Sequence, residues 1–230
     1  MVTAESGYRE RPSRIPGATV WRRRAAVSEQ VRVLPDGCMD VIHYGGRLLV
    51  AGPDTTAQLG MSPVGRTYTA IRFGPGTAPG VLGVPADELR DQRVPLSALW
   101  PSARVRRLTE QLDEAAEPAA LLETVFARND KPDESWVRAV VERVRAGLPV
   151  ARIAADVGLS ERQLHRRGLV LFGYGLKTLS RILRVNAALE LARGGMPFGA
   201  VAASTGYADQ AHLSREVRAL AGAPLREVIG

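Results

Sequence analysis

Two short segments near the C-terminal end of the chain carry residue types that suit contact with DNA. On helices, each segment would turn a polar, cationic face outward. Arginine can hold guanine through two parallel hydrogen bonds and can also neutralise a phosphate. We therefore predict that both faces meet a nucleic acid. The outward-facing residues are Arg162, His165, Arg166, Gln210, His212 and Arg215.

The two segments belong to one pattern that occurs twice. From Ser160 and Asp209 onward, corresponding residues lie 49 positions apart (209 − 160 = 49). At Gly158 and Gly206 the offset is one less (206 − 158 = 48), so the second copy has one extra residue in its turn. A duplicated unit of this size predicts two related structures within one chain.

Each copy has the residues that a helix-turn-helix requires. These are a small residue where the helices cross, a glycine that tolerates positive φ in the turn, an N-cap for the second helix, and an apolar residue facing inward. In that order they are Ala154, Gly158, Ser160 and Leu164 in the first copy, and Ala202, Gly206, Asp209 and Leu213 in the second.

The segment between the copies is predicted to be one long helix. Apolar residues recur at helical spacing from Leu176 to Arg193. Such a helix would be roughly 27 Å long at 1.5 Å per residue. It could hold two reading helices in successive major grooves, which lie about 34 Å apart.

These residues resemble the DNA-binding domain of AraC/XylS-type transcription regulators. The run from Gly206 to Glu216 is the most specific part of the resemblance. The resemblance implies an all-α domain over residues 132–230, and a bacterial activator or repressor that is not an enzyme and needs no cofactor. It also implies double-stranded DNA and RNA polymerase as partners. The predicted DNA-binding residues are Ser160, Arg162, Gln163, His165, Arg166, Gln210, Ala211, His212, Ser214 and Arg215.

Gly168 departs from the family pattern, which usually has phenylalanine or another large apolar residue there. A missing core aromatic costs roughly 3–5 kcal/mol if nothing fills the space. The first unit is therefore expected either to be loosely packed or to be repaired by neighbours such as Leu169 and Phe172.

Composition agrees with a DNA-binding protein. The formal net charge is +7, and residues 132–230 hold 14 basic and 9 acidic side chains. A basic half suits a polyanionic partner, although the near absence of lysine also fits the codon bias of a GC-rich genome. Apolar runs fall short of the roughly 20 residues of a membrane span. The single cysteine, Cys38, fits a reducing cytoplasm.

The N-terminal part, residues 1–100, is predicted to be a small β barrel or sandwich, which gives the whole chain an α+β fold. Turn residues rich in Gly, Pro and Asp separate short β-type runs. The β-type runs are Val31–Leu34, Met39–His43, Leu48–Ala51 and Thr67–Phe73. In Leu34–Asp40, Ala51–Asp54 and Leu82–Ala86 the segment resembles a poorly characterised cupin-like domain found before such DNA-binding domains. The resemblance implies a sensor for a small-molecule effector or a self-association role.

Residues 101–131 form a predicted helical connector, and Asn129–Asp133 a linker. The apolar stripe from Arg104 to Phe126 has two interpretations. It is either a homodimer seam or a surface that packs on the chain's own β domain.

An alternative function would place chemistry in the β domain. Asp36, Cys38, Asp40 and His43 lie within eight residues, but the chain has only three histidines, so no metal site is expected. Cys38 could be a reactive thiol of a DNA-associated enzyme or repair protein, or a small buried residue. Five aromatic residues could line an apolar pocket or belong to the core: Trp21, Tyr44, Tyr68, Phe73 and Trp100.

Overall fold

The computed structural model describes residues 7–127 and 134–230, and the predicted linker Asn129–Asp133 lies outside them. Strands occupy the N-terminal part and helices the C-terminal part. The predicted α+β fold is therefore confirmed. In the described ranges, no helix is long and apolar enough to cross a membrane.

The N-terminal domain contains a six-stranded antiparallel sheet and a separate two-stranded ribbon. The strands are β1 Arg9–Pro12, β2 Ala18–Arg24, β3 Glu29–Val33, β4 Met39–Tyr44, β5 Arg47–Ala51, β6 Gln58–Ser62, β7 Thr67–Phe73 and β8 Arg93–Pro95. The sheet has the order β1-β2-β7-β4-β5-β8, and the ribbon pairs β3 with β6. The four predicted runs fall on β3, β4, β5 and β7.

Two helices cover one face of the sheet. These are α2 (Ser102–Glu114) and α3 (Pro118–Ala127), whose buried residues join the core of the sheet. Phe126 packs against Phe73 with 5.6 Å between ring centroids. The apolar stripe from Arg104 to Phe126 therefore packs on the chain's own β domain rather than facing outward.

Short helical segments follow β7. They are α1 (Ala78–Leu82) and two 3-10 turns, Ala86–Leu89 and Leu96–Ala98. The turn at Ala86–Leu89 lies against a helix of the C-terminal domain. It is therefore one of the places where the two domains meet.

The C-terminal domain is all α and has its own core. As the spacing predicts, one helix spans Leu176–Arg193. It contributes buried side chains such as Leu179, Ile182 and Leu189 to a core shared with the helices on either side. The helices are α4 Glu134–Arg145, α5 Val150–Asp156, α6 Glu161–Phe172, α7 Leu176–Arg193, α8 Phe198–Ser204, α9 Gln210–Ala221 and α10 Leu225–Ile229.

Candidate nucleic-acid interface

The first helix-turn-helix consists of α5 and α6. Gly158 lies in the turn with φ of 68°, a left-handed conformation that glycine adopts without steric cost. Ser160 caps α6, because its hydroxyl accepts a hydrogen bond from Gln163 N at 3.2 Å. The Gln163 side chain accepts in turn from Ser160 N at 2.9 Å. This capping box satisfies backbone amides that have no intrahelical partner, and so fixes where α6 begins.

The second helix-turn-helix, α8 and α9, repeats this construction. Gly206 has φ of 73°, and Asp209 caps α9 by accepting from His212 N at 2.6 Å. Both α6 and α9 have 12 residues. Each ends at a left-handed glycine, Gly173 or Gly222. The duplication seen in the sequence is therefore a duplication of structure.

The two reading helices turn their apolar sides inward. Leu164 and Leu213 are both 0% exposed. On α6, the predicted DNA-binding residues Arg162, His165 and Arg166 are exposed. Ser160 and Gln163 are also exposed, but their side chains form the cap. On α9, Gln210, Ala211 and Arg215 are exposed, while His212 and Ser214 are half-buried.

The arginines predicted to read DNA are not neutralised by neighbouring acids. Among the described residues, Arg162, Arg166 and Arg215 form no ion pair. Arg218, one helical turn beyond Arg215, is exposed as well. Arg218 is not among the predicted DNA-binding residues, although its i+3 spacing from Arg215 places it on a neighbouring part of the same helix surface.

Helix α7 is tied to the second unit by two arginines that the sequence analysis also missed. Arg181 Nε donates to Glu216 Oε2 at 2.9 Å, and the Arg184 guanidinium lies 4.4 Å from the centre of the Tyr207 ring. The hydrogen bond from Arg181 lowers the pKa of Glu216. These contacts join residues far apart in the chain, so spacing gave no signal for them.

The position of Gly168 is filled by neighbouring groups. A Cβ atom there would lie 3.1 Å from Leu176 Cδ1 and 3.4 Å from the Tyr174 carbonyl oxygen. Phe172 is buried beside it, whereas Leu169 is only half-buried. Of the two expectations, loose packing is wrong. The repair comes from Phe172, as expected, together with Leu176 and the Tyr174 backbone, and not from Leu169.

Of the candidate metal and thiol residues, Asp36 and Asp40 both pair with Arg72 beside Cys38, whereas His43 does not join them. The Asp40 carboxylate accepts from Trp21 Nε1 at 2.7 Å, whereas His43 Nε2 lies 3.0 Å from Asp113 Oδ1 on α2. Burial raises the pKa of the Cys38 thiol. Among the described residues, no group of three or more His, Cys, Asp and Glu side chains could hold a metal ion.

The five aromatic candidates lie in different environments. Phe73 and Trp100 are buried in the core beside Phe126. Tyr44 packs on Tyr68 with 5.5 Å between ring centroids, and it borders two open clefts of about 640 and 570 Å³. Trp21 donates to Asp40. They do not line one shared apolar pocket.

Family models match both domains. Residues 144–229 match a helix-turn-helix domain, and residues 18–95 match a domain of unknown function, DUF6597. No curated protein is similar enough in sequence to match.

The chain is also similar to solved structures of ToxT from Vibrio cholerae. An unsaturated-fatty-acid-bound form from strain SCE256 is 9% identical, with a TM-score of 0.50 and coverage of 95% of this chain and 96% of that one. A form from strain O395, bound to (E)-4-(8-methylnaphthalen-1-yl)but-3-enoic acid, is 11% identical with a TM-score of 0.49, covering 97% and 98%. At this identity the likeness concerns the fold alone. The family matches and the duplicated helix-turn-helix identify residues 144–229 as an AraC-type helix-turn-helix domain, and the chain is a DNA-binding transcription regulator that carries this domain behind a DUF6597 domain.

Proposed function

We propose that the protein reads two boxes on one DNA duplex, one with α6 and the other with α9. The observation that carries this proposal is that both helices begin at a side-chain cap and present arginines without acidic partners. Unpaired guanidinium groups can fork onto guanine or neutralise phosphates without first breaking an internal ion pair. Arg162 and Arg166 would serve the first box, and Gln210 and Arg215 the second.

The remaining predicted residues have supporting roles in this proposal. Ser160 and Gln163 fix the start of α6 through the capping box and reach the adjacent phosphate backbone. His165, Ala211, His212 and Ser214 would contact the duplex beside the arginines. His212 is held edge-on to the Tyr207 ring, 5.2 Å between centroids, which limits its freedom.

The N-terminal domain provides the regulatory input in this proposal, by binding a small-molecule effector or a second copy of the chain. One ToxT structure of similar fold holds an unsaturated fatty acid, so long-chain carboxylic acids are the first effectors to test. RNA polymerase is the proposed downstream partner, and the cytoplasm the proposed location. Cys38 is not a catalytic thiol in this proposal, because burial raises its pKa and disfavours the reactive thiolate.

The test is selection of binding sites from a random duplex library at fixed, physiological salt. Two short boxes about one helical turn apart would support the proposal. Repeating the selection with Arg166→Ala and with Arg215→Ala should degrade one box each, and a different one in each case. A single box, degraded only by Arg215→Ala, would contradict a role for α6. Weak enrichment that vanishes as salt rises would contradict sequence-specific reading altogether.

A further inference from the structure

The last turns of both reading helices are held by the N-terminal domain. Carbonyl groups in the last turn of a helix have no intrahelical donor, so they need partners from elsewhere. At the end of α6, the Gly173 carbonyl accepts from Arg90 Nη1 at 3.1 Å. At the end of α9, the Ala221 carbonyl accepts from Arg32 Nη1 at 2.6 Å. One arginine of the N-terminal domain therefore binds the C-terminal end of each reading helix, at the cap residue Gly173 after α6 and at the last helical residue Ala221 of α9.

Backbone and packing contacts reinforce both attachments. Ala57 N donates to the Leu220 carbonyl of α9 at 2.7 Å. Arg32 Nη2 also lies 3.0 Å from Glu227 Oε1 on α10. A Cβ atom on Gly173 would lie 2.6 Å from Pro53 Cγ and 3.2 Å from the Ala86 carbonyl oxygen, so α6 ends in close contact with the N-terminal domain. The end of α6 is therefore closely packed on the N-terminal domain, and the end of α9 is held by two hydrogen bonds from it.

A third attachment lies on α7, between the two reading units. Asn186 Nδ2 donates to the Pro35 carbonyl at 2.7 Å. A Cβ atom on Gly37 would approach Leu179 Cδ1 to 3.1 Å. The N-terminal domain therefore contacts the first unit, the connecting helix and the second unit in turn.

The two arginines come from different parts of the N-terminal domain. Arg32 lies on β3, in the two-stranded ribbon, and Ala57 directly precedes its partner strand β6. Arg90 follows the 3-10 turn Ala86–Leu89, close to strand β8 of the six-stranded sheet. Any displacement of the ribbon relative to the sheet would move the end of α9 relative to the end of α6.

These attachments leave the reading faces open. Arg162, Arg166 and Arg215 lie away from the C-terminal ends of these helices and remain exposed, whereas the attached carbonyls, of Gly173 and Ala221, lie at those ends. A guanidinium at a helix C-terminus also meets the negative end of the helix dipole, which favours the contact. The N-terminal domain can thus control where the helices lie without covering what they read.

We propose that Arg32 and Arg90 are positioning residues, which fix the ends of α9 and α6 and so set the spacing between the two DNA boxes that the protein accepts. This inference rests on the proposed function, because it requires both helices to read DNA. Two rigidly connected binding units bind more tightly than either unit alone only when the two DNA boxes lie at the distance between the units. A looser connection accepts boxes at more distances, but with a smaller increase in affinity.

The experiment measures affinity of the full chain for duplexes in which both boxes are constant and the spacer is lengthened or shortened by one or two base pairs. Each added base pair also rotates the second box by about a tenth of a turn. The wild-type protein should lose about tenfold or more in affinity away from its preferred spacer. Arg32→Ala, Arg90→Ala and the double variant should flatten this profile to about threefold or less, with unchanged affinity for each isolated box.

Arg106→Ala is the matched control, since Arg106 is an exposed arginine on α2. It should keep the wild-type spacer profile. Thermal unfolding identifies variants that fail to fold, and Arg32→Gln and Arg90→Gln replace them in that case. A role confined to stability would lower the melting temperature and leave the spacer profile unchanged, which would overturn the inference. If the wild-type protein shows no second box at all, the proposed function itself fails.

Discussion

Arg181 donates to Glu216 at 2.9 Å and so ties α7 to reading helix α9 across 35 residues of sequence. Glu216 directly precedes the buried Val217 and directly follows the exposed Arg215. Arg181 neutralises Glu216, and among the described residues Arg215 forms no ion pair. The contact therefore holds α9 against α7, while Arg215, which is predicted to read DNA, stays exposed.

Replacing Arg215 should weaken sequence-specific binding. We expect Arg215→Ala to cost about 1–3 kcal/mol of binding free energy and to relax the preference at one base position. Arg215→Lys is the matched control, because lysine keeps the charge but loses the planar fork. It should retain most nonspecific affinity while still losing base preference. Unchanged affinity and base preference in Arg215→Ala would mean that α9 does not read bases through this residue.

The double helix-turn-helix could be predicted because the residues that specify it act locally. A cap such as Ser160 or Asp209 accepts from backbone amides within three residues of itself, and a turn glycine such as Gly158 is needed for the positive φ at its own position. Each signal therefore survives in a short stretch of sequence, and the duplication makes it visible twice. The exposure of Arg162 and Arg215 follows from the same helical periodicity.

The N-terminal domain was less predictable because its pairings are long-range. Strand β2 ends in three successive arginines, which obscure the alternation of apolar and polar residues that is typical of a strand. Arg23 is nevertheless buried and paired with Glu29 of the ribbon. The contact between Arg32 and Ala221 spans 189 residues, so neither partner carries a local sign of the other. Likewise, Leu176 supports Gly168 from the next helix, which spacing within α6 alone does not reveal.

Replacing Gly168 with phenylalanine, the residue usual in the family, should destabilise the protein. Gly168→Phe places a ring where a Cβ atom alone would already lie 3.1 Å from Leu176 Cδ1. We expect the free energy of unfolding, measured in urea, to fall by about 1–3 kcal/mol or more through overpacking. Gly199→Ala is the control, because Gly199 is a helical glycine with open space around it, and its stability should stay equal or rise by up to about 1 kcal/mol. A more stable Gly168→Phe variant would mean that a void exists there.

The ion pair between Arg11 and Glu123 should make stability depend on pH in acid. Glu123 is 2% exposed and accepts from Arg11 Nη2 at 2.9 Å and from Arg14 N at 2.7 Å. The Arg11 hydrogen bond lowers the pKa of Glu123 from 4.5 to about 2, against the opposing effect of burial. Because the folded-state pKa is the lower one, the stabilisation is complete above pH 4.5 and is lost as the pH falls from 4.5 toward 2.

Unfolding in urea between pH 7 and pH 3 tests this expectation. Glu123→Gln should be less stable than the wild-type protein at pH 7, and the difference should shrink below pH 4.5. Glu114→Gln, at an exposed position at the end of α2, serves as the control and should follow the wild-type curve. If the free energy of unfolding falls with pH in parallel for Glu123→Gln and the wild-type protein, this carboxylate does not cause the loss of stability in acid.

Cys38 should be unreactive in the folded protein. Burial raises the pKa of its thiol, and the nearby Asp36 carboxylate acts in the same direction, so little thiolate exists at pH 7–8. We expect a disulfide reagent such as dithionitrobenzoate to label folded Cys38 at least about tenfold more slowly than the urea-unfolded chain. Cys38→Ser should leave DNA affinity unchanged, since the thiol only approaches the Asp36 carbonyl, at 3.9 Å. Fast labelling of the folded chain, combined with a DNA-directed activity that Cys38→Ser abolishes, would instead favour a repair protein that uses this thiol.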